Sequence, residues 1–136
     1  MGTGSFSGEI LVRRYFDVIN AELWDELSCV FAQDAEVRAV GVEPMIGLPS
    51  IKRFYSRLFA AWATHFDQPT RMLPSGDSIA VEVRFVGTTH DGRVLEFDAV
   101  DVIDLAGDRI GRLTNWYDIA KVRTMLSPAG ETSPRR

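Results

Sequence analysis

Residues 91–110 read DGRVLEFDAVDVIDLAGDRI: a turn dipeptide, a long alternating run and a second turn. Within Leu95–Leu105 the alternate positions Leu95, Phe97, Ala99, Ile103 and Leu105 are apolar, the period-two pattern of a strand with one face in a core. Asp91-Gly92 links this strand to the preceding run Ile79–His90 as a hairpin, and Ala106-Gly107-Asp108 links it to a last strand, Arg109–Tyr117. Shorter strands are expected at Ala35–Val40 and Gln68–Leu73. Leu11, Tyr15, Val18 and Ile19 share one face of a helix over Gly8–Asn20, and Leu23, Leu27, Val30 and Phe31 mark a short second one. Pro49-Ser50 opens a third, with Ile51, Phe54, Tyr55, Leu58, Phe59 and Trp62 three or four residues apart. Asp118 is the expected cap of a closing helix, Ile119–Leu126. Helices followed by a meander predict an α+β cone: a curved antiparallel sheet wrapped around three N-terminal helices, with a ligand-sized cavity between them.

The chain has 136 residues, enough for one domain. Residues 8–126 form that domain, 1–7 are expected to be a flexible lead, and the Pro/Ser/Gly/Arg-rich 127–136 a disordered tail. Nineteen acidic against 15 basic residues give a net charge of -4, which excludes the basic field a nucleic-acid binder needs. The lone Cys29 rules out an internal disulfide and a Cys-rich zinc site, and His65 and His90 lack ligand spacing. No metal or cofactor is therefore expected. His65 reads as a helix-end residue, His90 as exposed and Cys29 as small core material. No secretion signal and no run of the ~20 apolar residues that span a bilayer is present, so a cytoplasmic protein without membrane contact is expected.

Asp101 breaks the pattern, sharing the inward face with Phe97, Ala99 and Ile103. A carboxylate among apolar side chains costs several kcal/mol unless bonded, paired or protonated, so its pKa should rise and make it a proton donor. On the preceding strand two registers are open. A two-residue Asp91-Gly92 turn brings Glu82 and Arg84 inward, whereas a three-residue turn with a bulge brings Val81, Val83 and Phe85 inward. Asn115 on the last strand can orient a carboxyl, a water or a substrate oxygen. Tyr15 and Tyr55 sit on apolar helix faces, where each hydroxyl needs a buried partner. Phe59, Trp62, Phe97 and Tyr117 complete the walls. No nucleophile elbow, phosphate loop or metal cluster is present.

The segments RRYFDVINA, FAQDAEV, GVEPMIGLPSIKRFY, DGRVLEFDAVDVIDLAGDRI and NWYD resemble the NTF2-like (cystatin-like) superfamily, and within it SnoaL-like polyketide cyclases and ketosteroid isomerases, over Val12–Met125. The resemblance implies that Tyr15 and Asp101 form an oxyanion hole, with Tyr55 beside them and Arg84 lining the pocket. Ala39 stands where the isomerases carry their proton-shuttling aspartate, so Glu82 or Glu43 would have to replace it. Against limonene-epoxide hydrolases, Ala99 stands at the arginine position and Asn115 at the second aspartate. The expected function is ring closure of a hydrophobic, polyketide-like molecule, with Asp101, Tyr15 and Asn115 catalytic. Arg84, Glu82, Tyr55, Phe59, Trp62, Phe97 and Tyr117 would bind the substrate. The alternatives are an isomerase or epoxide hydrolase, and a non-catalytic ligand-binding or dimerisation module. A homodimer through the outer sheet face, with Thr114 and Trp116, is expected.

Overall fold

The computed structural model describes residues 2–127, with side chains from Ser7 onward. Helix α1 (Gly2–Asn20) lays Val12, Tyr15, Phe16, Val18 and Ile19 into the core, each at most 3% exposed. It begins before Gly8, so residues 2–7, read as a flexible lead, are helical. Gly8 is a packing position rather than a start: a Cβ there would come within 2.6 Å of the Leu105 side chain. A 3-10 helix (Trp24–Cys29) takes the place of the second expected helix.

There follow β1 (Phe31–Ala39), β2 (Met45–Ile46), α2 (Leu48–Ala60), β3 (Thr64–Ser75), β4 (Ser78–Thr88), β5 (Val94–Ala106), β6 (Arg109–Trp116) and α3 (Ile119–Leu126). Asp118 caps α3 by accepting from the Lys121 amide at 3.0 Å. The expected tail from Pro128 lies outside the described residues.

The strands form one sheet in the order β2-β1-β6-β5-β4-β3. The sheet is mixed, because β1 runs parallel to β6 while every other pair is antiparallel. β3 is an edge strand, which is why it tolerates Pro69 and Pro74; its register shifts between Pro69 and Arg71.

The hairpin between β4 and β5 decides which side chains reach the interior. Thr89 donates its amide to the Arg93 carbonyl at 2.8 Å, leaving a three-residue turn, His90-Asp91-Gly92, with Gly92 at φ +90°. Val81 therefore pairs with Asp101, Val83 with Ala99 and Phe85 with Phe97. The two-residue register is overturned, and with it the expectation that Glu82 and Arg84 line the pocket. Both lie on the outer face: Arg71 donates to Glu82 at 3.1 Å, and Arg84 to Glu96 at 2.6 Å and Asp98 at 3.1 Å. Burial of Val81, Val83 and Phe85 outweighs the preference of Asp-Gly for a tighter turn. Arg84→Ala is accordingly expected to leave ligand affinity unchanged by calorimetry; a large loss would place this side chain in the site after all.

Candidate active site

Between the concave sheet face and α1, α2 and α3 lies a cavity of about 140 Å³, about 850 Å³ when its solvent-open mouth is included. Its lining includes Phe59, Trp62, Phe97 and Tyr117, expected as walls, and Tyr55, expected to bind substrate, together with Phe54, Val83, Phe85, Ala99 and Leu113. The aromatic rings brace one another: Trp62–Phe85 and Phe85–Phe97 centroids are 4.7 Å apart, and Phe97–Tyr117 5.3 Å. Val122 and Leu126 of α3 close one side. Arg93, from the β4–β5 turn, holds that helix by donating to the Met125 carbonyl at 2.6 Å.

Five oxygen-bearing acids line this apolar space: Asp67, Asp101, Tyr15, Tyr55 and Tyr117. Asp101 is 4% exposed and accepts one hydrogen bond from Asn115 Nδ2, at 2.6 Å on Oδ1. β5–β6 pairing puts these two residues directly opposite each other. Burial pushes the Asp101 carboxyl up to about 6, with the Asn115 donor pulling the other way. The rise expected from sequence is thus present, but it stops short of neutrality because Asn115 stabilises the charged form.

The Tyr15 and Tyr55 hydroxyls lie 2.7 Å apart, brought together from α1 and α2. Burial raises both phenols above their ordinary value, reinforced at each by the Asp101 charge, so both remain protonated. Two O–H groups share one mutual bond, which leaves one hydrogen for a ligand oxygen.

Asp67 was not anticipated. Burial pushes its carboxyl up to about 7, with the Asp101 charge adding to the rise. The sequence pattern predicts a strand only from Gln68, one residue past Asp67, whereas β3 begins at Thr64. Its alternation is also inverted, with His65 and Asp67 turned inward and Phe66 49% exposed outside. The usable signal was the alternation itself, irrespective of which phase is apolar.

His65 is a β3 residue rather than a helix end: it stacks on Phe59 at 4.2 Å, with Nε2 2.7 Å from Glu22 and Nδ1 buried without a partner. His90 is exposed and its Nε2 meets the Ala60 carbonyl at 2.9 Å. Cys29 is half-buried. Ala39 lines the cavity opposite Asn115, so the isomerase base position is apolar, and Glu43 is exposed. Among the described residues no Lys, Arg or His lines the cavity, and no cluster of three or more His, Cys, Asp or Glu could hold a metal ion. No described helix is long and apolar enough to cross a membrane.

The raised carboxyls have a consequence for stability. Between the ordinary carboxylate value of 3.8 and about 7, the folded chain holds protons that the unfolded chain has released. Stability therefore falls as pH rises through that window and levels off above it. Thermal scans should give a higher Tm at pH ~5 than at pH ~8, with the slope reduced in Asp67→Asn; a Tm that climbs over this range contradicts the carboxyl assignments.

The family model for the SnoaL-like domain matches residues 12–113. The chain belongs to that family. Its fold is that of the NTF2-like superfamily. This SnoaL-like chain superposes on a candidate polyketide cyclase from Xanthomonas campestris pv. campestris with TM-score 0.84 at 18% identity, covering 91% of this chain and 99% of the other. A candidate SnoaL-like polyketide cyclase from Jannaschia sp. CCS1 gives TM-score 0.83 at 16% identity, covering 90% and 92%. An LEH-like epoxide hydrolase of M. tuberculosis gives 0.75 at 14%, covering 89% and 90%. At these identities the likeness is one of fold. No curated protein sequence matches the chain.

Proposed function

We propose that this SnoaL-like domain is a cofactor-independent cytoplasmic enzyme that closes a ring in a neutral, hydrophobic, polyketide-like carbonyl compound. The observation that carries the reading is the buried Asp101–Asn115 pair facing the same apolar cavity as the Tyr15–Tyr55 hydroxyls, with no cation among its described lining residues. A cavity with carboxyls and no positive side chain disfavours an anionic substrate. Asp101, charged and oriented by Asn115, accepts a proton from the carbon next to a carbonyl. As the C–H bond breaks, negative charge passes to the carbonyl oxygen, which receives the hydrogen bond left over from the tyrosine pair. The aromatic walls fold the enolate carbon against a second carbonyl.

Epoxide hydrolysis is less well supported, because Ala99 and the rest of the lining supply no arginine. Isomerisation by the ketosteroid route lacks the usual base, since Ala39 occupies that position. The outer sheet face exposes Phe66, Val86, Val100 and Trp116, and a homodimer through it is part of the proposal.

The test is incubation with a phenyl-substituted diketone whose carbonyls are spaced to close a six-membered ring, followed by NMR. Wild-type enzyme should yield the cyclic aldol; binding without turnover would leave a ligand-binding module instead. Replacing both tyrosines, Tyr15→Phe with Tyr55→Phe, removes the hydrogen the pair offers to the ligand oxygen and should lower kcat by about 10²-fold, whereas an unchanged kcat would remove the tyrosines from the reaction.

A further inference from the structure

Ring closure as proposed leaves an alkoxide on the second carbonyl, and Asp101 by then carries the proton taken from carbon. Asp67 lies in the same cavity and is unused by that scheme. Among the described residues nothing donates a hydrogen bond to its carboxyl, in contrast to Asp101, which Asn115 holds. Asp67 is half-buried, and a carboxyl desolvated by apolar walls without a donor favours its neutral form. Its backbone is fixed on both sides: the Asp67 amide donates to Asn20 Oδ1 at 2.8 Å, and Asn20 Nδ2 donates to the Asp67 carbonyl at 2.9 Å. The end of α1 thus clamps the strand at the one residue whose side chain enters the site.

We propose that Asp67 is the acid of the reaction, the partner of a basic Asp101, delivering its proton to the alkoxide oxygen formed when the ring closes. The inference rests on the cyclase reading above. In the step, the Asp67 O–H bond breaks as the product O–H bond forms, leaving Asp67 as carboxylate and Asp101 as acid. After the product leaves, water returns the proton from Asp101 to Asp67. No proton is gained or lost over the cycle and no oxidant or reductant is needed.

The titratable groups around Asp67 are Tyr15 from α1, Tyr55 from α2 and Asp101 from β5, while β4 presents the apolar Val83 and Phe85. On its own strand His65 is engaged by Glu22. The division of roles agrees with the carboxyl of Asp67 being pushed higher, to about 7, than that of Asp101, to about 6. The two protons leave as a coupled pair, so the pH profile reports the pair.

The experiment measures kcat and KM against pH for the same diketone with wild-type, Asp67→Asn and Asp67→Glu enzyme. The wild type should show a bell, rising as Asp101 ionises and falling as Asp67 does. Asp67→Asn should lower kcat by about 10²-fold or more, leave KM nearly unchanged and abolish the alkaline fall; Asp67→Glu should restore part of both. An Asp67→Asn enzyme with wild-type kcat and an intact alkaline limb overturns the assignment while the cyclase reading stands. No turnover by the wild type overturns both. Should Asp67→Asn not fold, carboxyl-carbon NMR on the wild type decides: an Asp67 titrating near the ordinary 3.8 overturns the proposal, and one near 7 upholds it.

Discussion

Asp101→Asn should abolish most of the turnover, lowering kcat by about 10²–10⁴-fold, while the neutral diketone still binds. Asparagine keeps the shape of the side chain, but it cannot take a proton from carbon. The steric outline of the cavity persists, because Val83, Ala99 and Leu113 are untouched. The folded protein should not suffer at pH ~8, since the substitution removes a carboxylate that burial opposes. Loss of activity together with retained binding and Tm isolates the proton transfer. An Asp101→Asn enzyme that turns over at the wild-type rate would sink the mechanism and leave Asp101 only a structural partner for Asn115.

Phe31→Ala carries the largest expected effect on stability, about 3–5 kcal/mol. Phe31 opens β1 and is 1% exposed. Its ring stands edge-on to Tyr15 at 5.7 Å and tilted to Tyr55 at 6.2 Å, so it supports both members of the hydroxyl pair. Its removal leaves a void that the surrounding strands and helices cannot close without moving the tyrosines. Urea unfolding should show the midpoint falling with little change in slope, because the native fold and its buried surface are otherwise the same. A loss below about 1 kcal/mol would mean that the site collapses around the gap. Such a collapse should then appear as altered ligand affinity.

The cone and most of its lining were legible in the sequence because they rest on long periodic runs. Leu95–Leu105 marked Asp101 as an inward carboxylate, and its strand and burial are as the alternation requires. The helical spacing of Tyr15 and Tyr55 placed both on buried faces, although nothing local indicated that their hydroxyls would meet 40 residues apart in the chain. The fate of Glu82 and Arg84 was not legible, because it depends on whether the hairpin turn holds two residues or three. One residue there moves every β4 side chain to the other face. Asp67 was hidden for a different reason. An edge strand broken by prolines, with Phe66 and Leu73 turned outward, gives no hydrophobic stripe to read.

The His90-Asp91-Gly92 turn has a consequence for anyone redesigning this protein. It fixes which face of β4 forms the wall, and it positions Arg93 to latch α3 beside the cavity mouth. Loop length here is therefore a specificity setting rather than a tolerant insertion point. Deleting one residue would trade Val81, Val83 and Phe85 for Glu82 and Arg84 inside, exchanging an apolar wall for a charged one, and would release the latch with the same edit. Libraries aimed at new substrates should vary side chains on the flanking strands and leave the length of this turn alone.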